Sequence, residues 1–329
     1  MSNERFIASL KPLIWVSKFF GVFPYNFRCV NNKVDVEVSK LGVFFGFFMI
    51  FILISSRLIP FQMYIQEMVT YYVFRLANIF FGVFASASLI SYFSRYKTAK
   101  KIYKELINYS KFVKIKNFYK KMFWVIIGQL FVFKSICLIS FIYFFLSAPE
   151  EFHGNYRDSW ILASTIEIYS ANIITVINLQ FSNVLFYLKL LFKVANSELR
   201  SLKRNNNFVF KNNKSCLVGS NSDVYLLVEY YGKLSDFCEK VNEIFGGSML
   251  IAATSIFFHI LSSLYYIFVV REGFMIFVCW LLYQVVVEWM VLFSCESVVH
   301  EVSSKMVFKA LCRAFFYAIA NFVVSVSRF

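Results

Sequence analysis

The sequence predicts an all-α, polytopic membrane protein, and its composition and charge pattern support this fold class. Of its 329 residues, 59% are hydrophobic and 16% are charged, against about 45–50% and about 25% in soluble globular domains. Six apolar stretches are long enough to cross a hydrocarbon core of about 30 Å as helices. Lys and Arg are concentrated in alternate segments between these stretches. The composition therefore excludes a disordered chain and a soluble globular enzyme.

The six predicted transmembrane helices belong to one transmembrane domain that covers residues 1–329. A span needs about 20 mostly apolar residues at a rise of 1.5 Å per residue, and each stretch meets this length. The predicted spans are residues 41–59, 70–93, 122–146, 159–187, 247–270 and 274–295.

The charges between the spans predict how the chain is oriented. Lys and Arg number six in residues 1–40, ten in 94–121 and nine in 188–246, whereas the other connecting segments carry one or none. Because basic loops remain in the cytoplasm, the N-terminus is predicted to be cytoplasmic. The net charge of +15 is explained by this pattern, so we expect no nucleic-acid binding. The predicted cytoplasmic segments are 1–40, 94–121, 188–246 and 296–329.

Ionisable side chains inside the predicted spans are the first candidates for a functional site. An ionised group in a span costs about 2.5–3.5 kcal/mol on insertion scales, so it needs a partner or a cavity. Four residues qualify: Arg75, Lys134, Glu167 and Glu288. Since consecutive helices joined by a short loop usually pack antiparallel, we expect an ion pair between Lys134 and Glu167. The sequence is compatible with a purely structural pair and with a pair that lines a ligand cavity.

Polar and aromatic residues near the outer ends of the spans extend the candidate site. The fourth span is the most polar, and its polar residues recur at helical spacing, which suits helix packing and a pocket about equally. Tyr169, Tyr265, Tyr266 and Tyr283 either belong to an interfacial aromatic belt or line an apolar cavity. The candidate ligand-binding residues are Arg75, Lys134, Glu167, Tyr169, Asn172, Tyr265 and Tyr266.

The sequence contains no catalytic or metal-binding motif. His153, His259 and His300 are far apart and lie on different sides of the predicted membrane, and the seven cysteines show no Cys-x-x-Cys spacing. We therefore expect no enzyme activity, no catalytic residue, no metal and no cofactor.

The order of several short segments resembles the insect gustatory receptors, which form a superfamily of chemosensory ion channels with the insect odorant receptors. Gly21-Val22-Phe23-Pro24 before the first span is similar to the family's Gly-x-x-Pro segment. Asn196 and Leu199 resemble its Asn-x-x-Leu helix, and the resemblance runs from about residue 10 to residue 305. Further matching segments are Tyr231-Gly232-Lys233-Leu234, Val241 to Gly246, Cys295 and Glu301.

One segment of the family pattern is not found. Family members have a seventh, pore-lining helix that carries a Thr-Tyr to Gln-Phe motif, and nothing between Val307 and Phe329 matches it. We expect either a truncated product or a divergent member without that helix.

The resemblance implies a gustatory receptor of the plasma membrane, in which a small-molecule tastant binds in the outer half of the helices and opens a cation pore. It also implies a homo- or hetero-tetramer of related subunits embedded in membrane lipid. The alternatives are an odorant receptor of the same superfamily, a pore-less auxiliary or decayed receptor, and, outside this class, a small-solute transporter. A transporter usually shows internal repeats and broken helices, which this sequence lacks.

Overall fold

The computed structural model describes residues 2–30, 33–58, 68–109, 118–146, 155–211, 220–265, 268 and 274–302. These residues form eight helices and one two-stranded sheet. The helices are α1 (Ser2–Phe19), α2 (Lys40–Leu58), α3 (Met68–Ser94), α4 (Tyr96–Tyr109), α5 (Phe118–Leu146), α6 (Asn155–Lys211), α7 (Ser220–Tyr265) and α8 (Phe274–Val302). The strands are β1 (Tyr25–Val30) and β2 (Lys33–Val38).

The helices confirm the predicted fold class of a polytopic helical membrane protein. Four described segments are long and apolar enough to cross a membrane, and α2 and α3 contribute the shorter apolar runs Lys40–Ser55 and Gly82–Ser94. Each of the six predicted spans overlaps one helix, in order α2, α3, α5, α6, α7 and α8, and the exact bounds of the spans stay a prediction. Which segments are cytoplasmic stays a prediction. The four long segments are Tyr119–Ile139, Thr165–Ser197, Glu229–Tyr265 and Val278–Glu301.

The spans differ in how much protein surrounds them. In α6, 83% of the most apolar window is buried, whereas the corresponding share in α5 is 22%. The buried helix α6 is also the polar one, because a polar side chain that faced lipid would lose its hydrogen bonds. In contrast, α5 exposes large apolar side chains such as Phe131 and Leu138, as a lipid-facing helix does.

A β-hairpin between α1 and α2 is the main feature that the sequence prediction missed. Strands β1 and β2 pair antiparallel, with Phe27 opposite Val36 on one face and Arg28 opposite Asp35 on the other. The apolar face packs against Tyr103 of α4, whose ring lies 6.4 Å from that of Phe27. Alternation of apolar and polar residues is the usual signature of such a half-buried strand.

Tyrosine and aspartate side chains join the hairpin to α4. The Tyr25 hydroxyl donates to the Tyr96 carbonyl oxygen at 2.8 Å, and burial raises the pKa of Tyr103 to about 12. Lys104 Nζ lies 2.6 Å from Asp35 Oδ1, and this hydrogen bond lowers the pKa of the Asp35 carboxyl. Because the Asp35 pair is largely exposed, the buried tyrosines are the stronger contribution to docking.

Helix α1 packs along α5 and ends in a glycine cap. The Phe6 ring lies 6.3 Å from that of Tyr119, which places the first helix beside the start of α5. At the other end, Val22 N donates to Ser17 O at 2.8 Å and Gly21 N donates to Lys18 O at 3.0 Å. With Gly21 at a φ of 71°, these bonds form a Schellman motif. The Gly-x-x-Pro segment therefore contains the residue that ends α1.

The chain divides into two compact units. Unit 1 comprises Met1–Phe181 and Glu243–Val291, and unit 2 comprises Ser182–Asn242 and Leu292–Phe329. In unit 1, α3 packs on α7, since the Phe84 and Phe258 rings are 5.9 Å apart. Further along the same pair of helices, Ser248 Oγ donates to Ser88 O at 3.3 Å.

The α1 cap gives a test of the fold. Gly21→Ala should lower the free energy of unfolding by about 1–2 kcal/mol, because an L-residue is strained at positive φ and its Cβ would lie 3.2 Å from Met49 Cγ. Gly128→Ala on α5 is the matched control, since no atom lies within 4 Å of its added Cβ, and it should be neutral or stabilising. Thermal unfolding of the purified proteins measures both. Equal effects of the two substitutions would contradict the Schellman cap.

Candidate functional site

Four spans contribute polar and aromatic side chains to one connected group inside unit 1. The contacts join α5 to α6, α6 to α7, α7 to α8 and α8 back to α5 and α6. The group is called the polar cluster below. Its members are Lys134, Cys137, Glu167, Asn172, Thr175, His259, Trp280 and Tyr283, and the Phe20 and Tyr169 rings adjoin it.

Lys134 is the charged group at the α5 side of the polar cluster. Its Nζ donates to Asn172 Oδ1 at 2.7 Å and lies 4.2 Å from the centre of the Phe20 ring. The Phe20 ring also packs 5.1 Å from that of Tyr169. Phe20 follows α1 directly, so the end of the first helix, α5 and α6 together surround the ammonium group.

The predicted Lys134–Glu167 ion pair is wrong. Asn172 is the hydrogen-bond partner of Lys134, and Glu167 Oε1 lies 3.9 Å from His259 Nε2 on α7. Glu167 precedes Asn172 by five residues, which on a helix is about 7.5 Å and about 140° of rotation. The two side chains therefore face different neighbours, even though α5 and α6 pack together as expected.

Tyr283 links the α5 and α6 sides of the cluster to α8. It is fully buried, and its hydroxyl lies 2.5 Å from Thr175 Oγ1. The Thr175 hydroxyl donates to the Ala171 carbonyl at 2.9 Å, so its single proton is used and Tyr283 is the donor of the shared bond. Cys137, whose Sγ donates to Asn172 Oδ1 at 3.7 Å, also contacts the Tyr283 hydroxyl.

Aromatic stacking connects Tyr283 to the Glu167 side of the cluster. The Trp280 ring stacks on that of Tyr283 at 5.3 Å, and His259 meets the Trp280 ring edge to face at 6.1 Å. His259 and Trp280 are each 5% exposed. Buried rings therefore connect Tyr283 to His259, which lies beside Glu167.

Several buried polar atoms in and beside the cluster have no hydrogen-bond partner within the described part of the chain. Each such atom costs about 1–3 kcal/mol if it stays unpaired, so an internal water or a bound polar molecule is the expected partner. The atoms are Asn178 Oδ1, Gln180 Oε1 and Nε2, Ser255 Oγ, Trp280 Nε1 and Gln284 Nε2. The interior of unit 1 thus offers hydrogen-bond donors and acceptors to a guest molecule.

The structure brings together most of the residues that the sequence singled out. Lys134 and Tyr169 both contact Phe20, and Asn172 accepts a hydrogen bond from Lys134. Glu167 is connected to them through His259, Trp280 and Tyr283. Tyr265 is the last residue of α7 and is partly exposed. The side chain of Arg75 and the whole of Tyr266 lie outside the described residues.

Sequence reasoning did not assign Phe20, Cys137, Thr175, His259 and Trp280 to the candidate site, and it left Tyr283 between a lipid belt and a cavity. His259 was considered only as a metal ligand. Among the described residues, no three His, Cys, Asp or Glu side chains are grouped to hold a metal. The one sequence signal for Trp280 and Tyr283 is their spacing of three, which places both on one face of a helix.

Three residues that carried the family resemblance meet in unit 2. The Tyr231 hydroxyl donates to Asn196 Oδ1, and Asn196 Nδ2 donates to the Glu301 carbonyl oxygen at 2.6 Å. The Phe192 ring packs 6.0 Å from that of Tyr231. A single asparagine therefore ties together the unit 2 parts of α6, α7 and α8.

A double-mutant cycle tests the Tyr283–Thr175 contact. Thr175→Val should lower the free energy of unfolding by about 1–3 kcal/mol, because it leaves the buried Tyr283 hydroxyl without this acceptor. Tyr283→Phe should cost less, about 0.5–1.5 kcal/mol, since Thr175 keeps its bond to Ala171. The double variant should be less destabilised than the sum of the singles. Additive effects in denaturant unfolding of the purified proteins would show that the two hydroxyls do not interact.

One comparison with known proteins identifies a family. The family model described as 7tm Chemosensory receptor matches residues 10–319, a range that contains every residue of the polar cluster. No curated protein is significantly similar to the chain.

Proposed function

The chain belongs to the 7tm chemosensory receptor family, and we propose that it is a gustatory receptor that binds small-molecule tastants at the plasma membrane. Membership makes the chain a multi-pass membrane chemoreceptor, and the family is not an enzyme family. The proposal adds the kind of stimulus, the place of binding and the response. Its support is the residue pattern that resembles the gustatory receptors together with the geometry of the polar cluster.

The unpaired polar atoms beside the polar cluster are the observation that carries the proposal. A small-molecule site is mostly apolar and aromatic, with a few polar groups that fix the ligand. Trp280 and Tyr283 supply the rings, and Trp280 Nε1 and Gln284 Nε2 supply donors that no described residue uses. A purely structural core would be expected to pair these donors. A tastant with acceptor oxygens would satisfy them.

The proposed response is a shift between closed and open conformations. The cluster joins α5, α6, α7 and α8 through side chains alone, so a ligand that inserts among them binds some helix arrangements better than others. A ligand that prefers the open arrangement raises its population and hence the cation conductance. The proposed assembly is a homo- or hetero-tetramer of related subunits around one pore, with cytoplasmic N-termini.

Expression in cultured cells, with whole-cell recording during application of a tastant panel, tests this function. At least one tastant should evoke a cation current in cells that display the full chain, and single-molecule photobleaching should count four subunits. If the chain reaches the cell surface and no tastant evokes a current, the proposed function is wrong.

Gln284→Leu separates a ligand contact from a structural role. The substitution removes a buried amide with an unpaired donor, so it should leave the thermal stability unchanged or raise it. If Gln284 contacts the tastant, the concentration for half-maximal current should rise at least fivefold. Leu282→Met, on the exposed side of the same helix, is the control and should change neither quantity. Unchanged sensitivity in Gln284→Leu would remove this residue from the site.

A further inference from the structure

We propose that Lys134 is the binding site for the carboxylate of an amphipathic organic acid, whose apolar part lies against the neighbouring rings and alkyl side chains. This inference goes beyond the proposed function, since it requires only that α5 lies in the membrane and does not require a conducting pore. It is carried by the charge on Lys134, by the groups around Nζ and by the position of Lys134 on α5.

The charge of Lys134 is not balanced within the part of the chain that the structure describes. Its Nζ has one hydrogen-bond acceptor, the neutral amide oxygen of Asn172, and one ring, that of Phe20. No described carboxylate contacts it, and Glu167 lies beside His259. An ammonium group carries three donors, so two remain for another molecule.

Lys134 lies in the interior of its predicted span. Twelve residues separate it from either end of the predicted span 122–146, and it also lies inside the apolar segment Tyr119–Ile139. A charge at this depth is expected to pair with an opposite charge.

The surroundings of Lys134 specify a carboxylate with an apolar body. Asn172 Oδ1 already accepts hydrogen bonds from both Lys134 and Cys137, so the guest must bring its own acceptors. The Tyr169 hydroxyl makes only a 3.5 Å contact with the Phe19 carbonyl, a weak bond that leaves this hydroxyl able to turn towards a guest. A carboxylate accepts from both groups.

The side chains around Lys134 are mostly apolar. On α5, Phe131 precedes it by one turn and Leu138 follows it by one turn, and these side chains are 73% and 58% exposed. On the side of Lys134 that faces the protein, the Phe20 and Tyr169 rings pack against each other and complete its apolar surroundings. Lys134 thus lies at the edge between the polar cluster and the lipid-facing surface of α5, so an acid can approach from the bilayer or from the water side.

Binding to the full chain in lipid nanodiscs tests the inference. Two acids are each compared with the uncharged alcohol of the same carbon skeleton. Radiolabelled oleate, which resides in the bilayer, is compared with oleyl alcohol, and radiolabelled benzoate, which arrives from water, is compared with benzyl alcohol. At neutral pH at least one acid should bind tenfold or more tightly than its alcohol. Preference for oleate alone assigns the bilayer as the source, and preference for benzoate assigns the aqueous side.

Two substitutions locate the site. Lys134→Met, which keeps a long apolar chain, should reduce the acid-over-alcohol ratio to about one, whereas Lys134→Arg should retain a preference for the acid. Lys120→Met removes the same charge from an exposed position of α5 and should leave the ratio unchanged. A preference that persists in Lys134→Met would overturn the inference, as would equal binding of acid and alcohol to the unsubstituted chain.

The wild-type chain alone provides a second readout if Lys134→Met does not fold. Lowering the pH until the acid is protonated should abolish its preference over the alcohol, and Lys134→Arg should behave in the same way. An acid preference that survives protonation would refute the charge pairing. Because the readout is binding, a Lys134-dependent acid site without any current would contradict the proposed function and leave this inference intact.

Discussion

Every polar group that the chain places inside its apolar bundle must be satisfied by other protein groups or by a guest, because lipid offers no hydrogen bonds. This constraint explains why the most polar span, α6, is also the most buried. Ser170, Asn172 and Thr175 bond to backbone carbonyls of their own helix, and two of them also bond across to α5 and α8.

The same constraint distinguishes the polar groups that are paired within the polar cluster from the donors that have no partner among the described residues. Thr175 and Tyr283 satisfy each other, and stacked rings hold them in place. Lys134 donates one hydrogen bond, to Asn172, and its other ammonium protons have no described acceptor. Trp280 and Gln284 also have N–H donors without a described acceptor. Rigid surroundings with spare donors are typical of a preorganised binding site, in which little has to be reordered when a ligand enters.

Sequence patterns predicted the helices well and the contacts between them poorly. Long apolar runs fix where a span lies, so α5 and α8 were found from composition. The partner of Lys134 was missed because short loops predict which helices are neighbours and not their rotation about their axes. The β-hairpin was missed because its two strands of six residues lie in a segment assessed only for charge.

The contact between Phe20 and Lys134 joins an early part of the chain to a much later one. During synthesis on the ribosome, α1 and its cap are made long before α5 enters the membrane, and Asn172 follows Lys134 by 38 residues. The ring that stabilises the ammonium group is thus available when this charged helix inserts, and the hydrogen bond can form only afterwards.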